Sequence, residues 1–261
     1  MWNPAYVVSG AVVGVIIGLT GIGGGSLMTP LLILFFRQSP VVAVGTDLVF
    51  AAATKLVATA TSGLQRRVDW PVVAAMAAGS VPASLLTLHW LKDTHDPGAR
   101  VAQIITMALG AMLLLTSVTL LVQPRLLALF RSASPGPARW PLLQTALTVM
   151  TGAAVGIAVT LTSVGAGALG TVALLALYPL RLTPARLVAT DLAHALPLAL
   201  VAGAGHAVLG HVDYGLLANL LLGSVPGVLA GSVAAPRAPA WLLRALISAM
   251  LAATGARLLI G

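Results

Sequence analysis

The sequence contains no cysteine and no glutamate. Without cysteine, disulfides, thiolate metal sites and thiol catalysis are excluded. Only six residues are acidic, all of them aspartate, and charged residues of either sign make up 8% of the chain. So sparse a set shows neither a paired-carboxylate arrangement nor a Ser-His-Asp one of defined order. Aromatic residues are also few, at 5%. The opening Met-Trp-Asn-Pro lacks the basic stretch of a cleavable signal, so the first apolar segment is expected to be retained.

What fills the chain is apolar: 59% of its 261 residues are hydrophobic, with a mean hydropathy of +1.02. A soluble domain of this length lacks the interior to bury that much apolar surface. Residues 101–122 carry no charge and are long enough to cross a hydrocarbon core of ~30 Å. The runs are continuous rather than alternating, which points to helices rather than a barrel. The sequence is that of an all-α integral membrane protein, whose surroundings are the lipid bilayer. Its net charge of +8 does not imply a nucleic-acid partner, because Lys and Arg sit mostly in short connections.

The chain also repeats itself at an offset of 144 residues, read here as free of gaps. Arg37-Gln38-Ser39-Pro40 returns as Arg181-Leu182-Thr183-Pro184, and Thr46-Asp47-Leu48 as Thr190-Asp191-Leu192. Val68-Asp69-Trp70 returns as Val212-Asp213-Tyr214, and Gly79-Ser80-Val81-Pro82 as Gly223-Ser224-Val225-Pro226. Gly21 and Gly23 fall on Gly165 and Gly167. Four of the six aspartates form two repeat pairs, a coincidence that an excess of Leu and Ala cannot produce. Duplicated hydrophobic chains are how many secondary transporters are built.

Turn residues and charges divide the chain into apolar pieces at roughly 5–20, 26–36, 41–63, 71–91, 101–122, 142–161, 169–180, 186–209, 215–235 and 240–260. All five Trp fall at predicted ends, where their rings anchor at the headgroups. The pairs 5–20 with 26–36, and 142–161 with 169–180, are interrupted by glycine. If each pair enters and leaves on one side as a broken hairpin, nine basic residues collect on one face and four on the other. If each pair crosses once, the split is six against seven. The positive-inside rule favours the hairpin. The expectation is two inverted structural repeats, each a glycine-broken helical hairpin plus three transmembrane helices. Residues 1–122 and 141–261 form the repeats, 123–140 is a cytoplasmic linker, and both termini face outward.

Three groups of residues could carry function. In the first break lie Thr20, Gly21, Gly23, Gly24, Gly25 and Ser26; in the second, Thr162, Ser163, Gly165 and Gly167. Close small-xxx-small helix packing is one reading of such glycines. The other is an unwound segment that offers backbone N–H groups and a helix N-terminus to an anion. No strand precedes the glycines and no Lys-Ser/Thr follows, so a nucleotide loop is a poor fit. Asp47 and Asp191, preceded by Thr46 and Thr190, lie a few residues into their spans as coupling sites or structural acceptors. Thr54 follows Asp47 at seven residues, nearly on the same helix face, and Thr61 and Ser62 extend the stripe. Lys55 is a lysine far from any predicted end: it could neutralise substrate charge or snorkel to an interface. His194, His206 and His211 have spacings that suit no metal site.

Gly18-Leu19-Thr20-Gly21-Ile22-Gly23-Gly24-Gly25 followed by Pro30, then Ala43-Val44-Gly45-Thr46-Asp47, and the duplicated equivalents resemble the sulfite exporter family TauE/SafE. The similarity runs over essentially the whole chain. It implies a multi-pass permease of the bacterial inner membrane that moves sulfite, organosulfonates or related small oxyanions, without a cofactor. The second half departs from the glycine triplet with Gly167-Ala168-Leu169, so the two breaks need not be equivalent. The site expected is a small-anion site near the midplane, exposed alternately by movement of one repeat against the other. A proton-coupled or divalent-metal transporter using Asp47, Asp191 and His194 is the first rival, and an intramembrane enzyme the second. Small-residue helix faces leave homo-oligomerisation open.

Overall fold

A computed structural model describes residues 3–20, 25–61, 67–93, 99–132, 141–179, 181–235 and 239–260. Its helices are α1 (Pro4–Thr20), α2 (Gly25–Leu34), α3 (Pro40–Thr61), α4 (Trp70–Asp93), α5 (Ala99–Ser132), α6 (Pro141–Thr162), α7 (Ala168–Leu177), α8 (Pro184–Val208), α9 (Tyr214–Ala234) and α10 (Ala240–Ile260). No strand occurs among the described residues. Among the described residues, seven helices are long and apolar enough to cross a membrane: α3, α4, α5, α6, α8, α9 and α10. The chain is an all-helical integral membrane protein. Its outward surface is apolar, as lipid requires, with Leu86, Met150 and Val233 exposed, while Thr46, Asp47, Ser80, Thr160 and His194 are buried.

Local chemistry sets the helix starts. Pro184 opens α8, where its missing N–H costs nothing, behind a Thr183 cap whose hydroxyl accepts from Arg186 N. Asp213 caps α9 by accepting from Leu216 N at 2.9 Å. The span expected over 101–122 extends further: α5 runs 34 residues to Ser132, through Pro124. The first ten residues of the expected linker, 123–132, are therefore helical, because Leu126, Leu127, Ala128 and Leu129 are strong helix formers.

Glycine lets the helices pack in pairs. α1 lies parallel to α9, with Gly10, Gly14 and Gly18 against the carbonyls of Leu220, Ser224 and Val228. α6 lies parallel to α4, with Gly152 and Gly156 against those of Met76 and Ser80. A Cβ at Gly14 or Gly156 would collide with backbone, so only glycine permits this approach. These contacts also correct the repeat. Gly14 against Ser224 matches Gly156 against Ser80, which puts α1 and α6 in register at 142 residues, whereas Ser224 and Ser80 are 144 apart. The second half therefore holds two extra residues between α6 and α8, which disrupts the gap-free alignment read from the sequence.

Equivalent helices meet antiparallel. In α5 and α10, Gly110 packs on Leu259 while Ser117 donates to Ser248 O at 2.8 Å. In α3 and α8, Gly45 lies against His211 O and the His206 β-carbon, and Gly203 against Val49. Each interrupted pair turns back on itself. The Tyr6 ring of α1 meets Phe36, just beyond α2, at 4.6 Å between centroids. Gln144 in the first turn of α6 donates to Leu177 O at the end of α7, and Thr148 bonds Tyr178 at 2.8 Å. The arms of each hairpin are unequal, 17 against 10 residues in α1 and α2 and 22 against 10 in α6 and α7.

Candidate functional site

The site lies where α3 and α8 cross. Moving five residues along α3 from Val49, and five back along α8 from Gly203, arrives at Thr54 and Leu198, which are repeat equivalents. The antiparallel pairing of α3 and α8 therefore converges on Thr54, with Lys55 one residue away. Asp47 and Asp191 each stand seven residues from that point in opposite directions, roughly 10 Å along their helices. Lys55 is 6% exposed at the centre of the bundle, which excludes snorkelling to an interface. It feels the charge of both aspartates. Among the described residues neither carboxylate comes within ion-pair distance of it. Thr54, on the expected polar stripe, returns its hydroxyl to Phe50 O and Ala51 O of its own helix. Of the rest of that stripe, Ser62 and the Thr61 side chain lie outside the described residues.

The two short helices are directed away from this centre. Thr29, fifth in α2, lies beside Asp47, and the hairpin then leaves toward Phe36 and Tyr6. Gly170, third in α7, lies against Asp191, and that hairpin leaves toward Leu177 and Gln144. Their N-termini therefore face inward from opposite ends of the bundle. A helix N-terminus carries free N–H groups and roughly half a positive charge. With the Lys55 ammonium between them, the centre is suited to a small anion.

Gly21, Gly23 and Gly24 lie outside the described residues; Thr20 ends α1, and Gly25 and Ser26 begin α2, with the Thr20 and Ser26 side chains also outside them. The second break is described throughout. Ser163 has φ +59° and Gly165 φ +118°, left-handed conformations that reverse the chain after α6. Ser163 is buried beside the Asp47 carboxyl, yet its hydroxyl closes no hydrogen bond among the described residues. Thr162, expected as a donor to substrate, instead holds the break together: its hydroxyl lies 2.6 Å from Ala158 O and accepts from Val164 N at 3.1 Å. Gly167 caps α7.

Asp47 and Asp191 are sequence equivalents held in different ways. Asp47 Oδ2 accepts from both the backbone N–H of Thr29, at 3.1 Å, and the Thr29 hydroxyl. That ties α2 to α3. Asp191 leans on Gly170, where an added Cβ would overlap its Oδ1, with Thr171 nearby. Oδ1 of each aspartate has no hydrogen-bond partner among the described residues. Thr46 and Thr190, by contrast, act identically. Thr46 Oγ1 accepts from Asp213 N and Thr190 Oγ1 from Asp69 N, each at 3.0 Å.

The histidines serve separate partners. His194 Nε2 bonds Ser80 of α4 at 2.8 Å. His206 Nε2 lies 3.0 Å from Thr160 O, so that nitrogen carries the proton, and His211 Nδ1 donates to His206 Nδ1 across 3.3 Å. Burial lowers the pKa of His211, in the turn before α9. Among the described residues no three of His, Asp or Glu gather to hold a metal, so Asp47, Asp191 and His194 form no metal centre. Asp69 is paired elsewhere: Arg181 grips it with two bonds of 2.7 Å, and Arg186 approaches at 3.4 Å. Its repeat equivalent, Asp213, caps α9 instead.

Sequence reasoning missed Thr29, Gly170 and Ser80. Thr29 stands immediately before Pro30, where only its hydroxyl hinted at a role; Ser80 belongs to a duplicated motif that gave it no partner, and nothing in the sequence distinguishes Gly170 from a packing residue.

The sequence model of a family described as "Sulfite exporter TauE/SafE" matches residues 6–258. A Bacillus subtilis (strain 168) protein, "Probable membrane transporter protein YjnA", is 38% identical over 264 residues, covering 98% of this chain and 100% of that protein. No solved structure matches.

Proposed function

Because the chain belongs to the sulfite exporter TauE/SafE family and is thus a membrane transporter, we propose that it is a secondary permease for a small sulfur oxyanion such as sulfite or an organosulfonate, binding it at the centre of the bundle. The observation that carries this reading is the convergence of the α2 and α7 N-termini on the buried Lys55. Free N–H groups at the α2 and α7 N-termini, the Ser163 hydroxyl and the Lys55 ammonium would be the ligands. A small, multiply accepting anion fits such donors.

The two halves act as inverted repeats. Supporting this are the antiparallel contacts between equivalent helices, and hairpins that leave from opposite ends of the bundle. Alternating access then follows from one repeat moving against the other. The basic residues, nine at the end bearing residues 123–140 and four at the end bearing the termini, favour the first as cytoplasmic and the second as periplasmic in a bacterial inner membrane. Binding of radiolabelled sulfite to purified protein checks the reading, with competition by organosulfonates expected and competition by divalent metals not. Saturable binding of a divalent metal in place of sulfite would favour the cation transporter.

A further inference from the structure

We propose that Asp191 is a proton-binding site that loads together with the anion, whereas Asp47 is a fixed anchor. This rests on the anion reading above. The repeat makes the two carboxylates equivalent in sequence, but their surroundings do not. Asp47 is committed to the backbone and hydroxyl of Thr29, and so to the position of α2. The Oδ1 atoms of both aspartates lack a hydrogen-bond partner among the described residues. But among those residues Asp191, 6% exposed, has only the Thr171 side chain beside it and no backbone N–H of α7 bound to it, and its Oδ1 is directed at the first turn of α7. A carboxylate in that place occupies the inward-facing helix N-terminus that an incoming anion would use.

Charge then decides what happens on binding. With Lys55 positive and both aspartates ionised, the centre carries one net negative charge before the anion arrives. A second negative charge in a poorly hydrated space is strongly disfavoured. One proton taken onto Asp191 with one monovalent anion leaves the net charge of the centre unchanged. It also turns the unpartnered oxygen, or its neighbour on the same carboxyl, into a donor that faces the anion. Few other groups compete for that proton. Lys55 faces Asp191 from α3; Asp69 of α4 is paired with Arg181 and Arg186; His194, on α8 itself, is turned to Ser80. The described parts of α6 and α7 contain no charged residue.

The probe is methanesulfonate, which stays a monoanion across the range from pH 5 to 9, so that any pH dependence belongs to the protein. Calorimetry of its binding in buffers of different ionisation enthalpy counts protons. At pH values where Asp191 is ionised before binding, the wild-type protein should take up about one proton per anion and its affinity should fall about tenfold per pH unit. Asp191→Asn should bind with an affinity that no longer follows pH and take up no proton, while Asp47→Asn should still take one up. An infrared difference spectrum of the wild-type protein should gain a protonated-carboxyl band on binding, shifted in Asp191→Glu, which covers the case of an unstable Asn variant. Binding without proton uptake, or uptake that survives Asp191→Asn, overturns the proposal. If wild-type protein binds neither methanesulfonate nor sulfite, the anion reading itself fails.

Discussion

Thr46 Oγ1 accepts the backbone N–H of Asp213 at 3.0 Å, and the same bond recurs between Thr190 and Asp69. Each joins the middle of one repeat to the start of a helix in the other. The Thr-Asp and Val-Asp motifs, which stand out in the sequence as duplicated, are thus two ends of one contact made twice. Thr46→Val and Thr190→Val keep the shape and leave a backbone N–H without its acceptor. Each should destabilise the protein by roughly 1–3 kcal/mol. Detergent-solubilised thermal unfolding should show comparable losses for the two; a loss in only one would mean the contacts are unequal.

The glycines fall into two classes that mutation should separate. Gly14 and Gly156 meet backbone carbonyls of the paired helix, with no flexible side chain to move aside. Gly14→Val and Gly156→Val should force the helices apart and lower the yield of folded protein. Gly167, before α7, is half-exposed and lies in the break. Gly167→Val should fold but lose sulfite binding, as should Gly23→Val in the first break. Size-exclusion profiles and equilibrium binding on the four variants check this. Unchanged affinity in folded Gly167→Val would assign that glycine to packing.

Lys55 sits at the centre without a carboxylate in ion-pair contact among the described residues, so its charge is available to a ligand. Lys55→Met keeps most of the stem and removes the ammonium; Lys55→Arg keeps a cation of other geometry. The Met variant should lose at least tenfold in sulfite affinity and the Arg variant should retain part of it. Equal, near-normal affinities for both would show that the lysine is structural.

Topology is testable without substrate. A reporter fused after residue 135 should report the cytoplasm, and one fused after residue 261 the periplasm. A shared location for both fusions would contradict the inverted arrangement.

Much of this was legible in the sequence because lipid and charge leave few alternatives. The apolar runs gave the spans, and the basic asymmetry gave hairpins that return to the end where they began, as Tyr6 with Phe36 and Gln144 with Leu177 do. The length of α5 was hidden because Arg125 and Pro124 read as a boundary, although the following leucines continue the helix. The two-residue difference between the α1–α3 and α6–α8 stretches was hidden too, since α1 and α6 match at positions of Gly, Ala and Val that carry no register signal. What the sequence could not reveal was which polar atom each conserved-looking repeat residue would meet. Thr162 turns its hydroxyl onto its own break, and Thr29 holds Asp47 through both backbone and hydroxyl where Asp191 meets Gly170 and the Thr171 side chain. Side-chain hydrogen bonds depend on distances of a few tenths of an ångström, below anything a repeat pattern encodes.

Counterflow in proteoliposomes addresses the anion assignment itself. Vesicles preloaded with unlabelled sulfite and diluted into trace radiolabelled sulfite should accumulate label transiently with wild-type protein. External methanesulfonate should suppress the signal, and Lys55→Met should abolish it. Accumulation of a labelled divalent metal, with no sulfite counterflow at any pH, would contradict an anion permease and turn the buried aspartates into ligands for a cation.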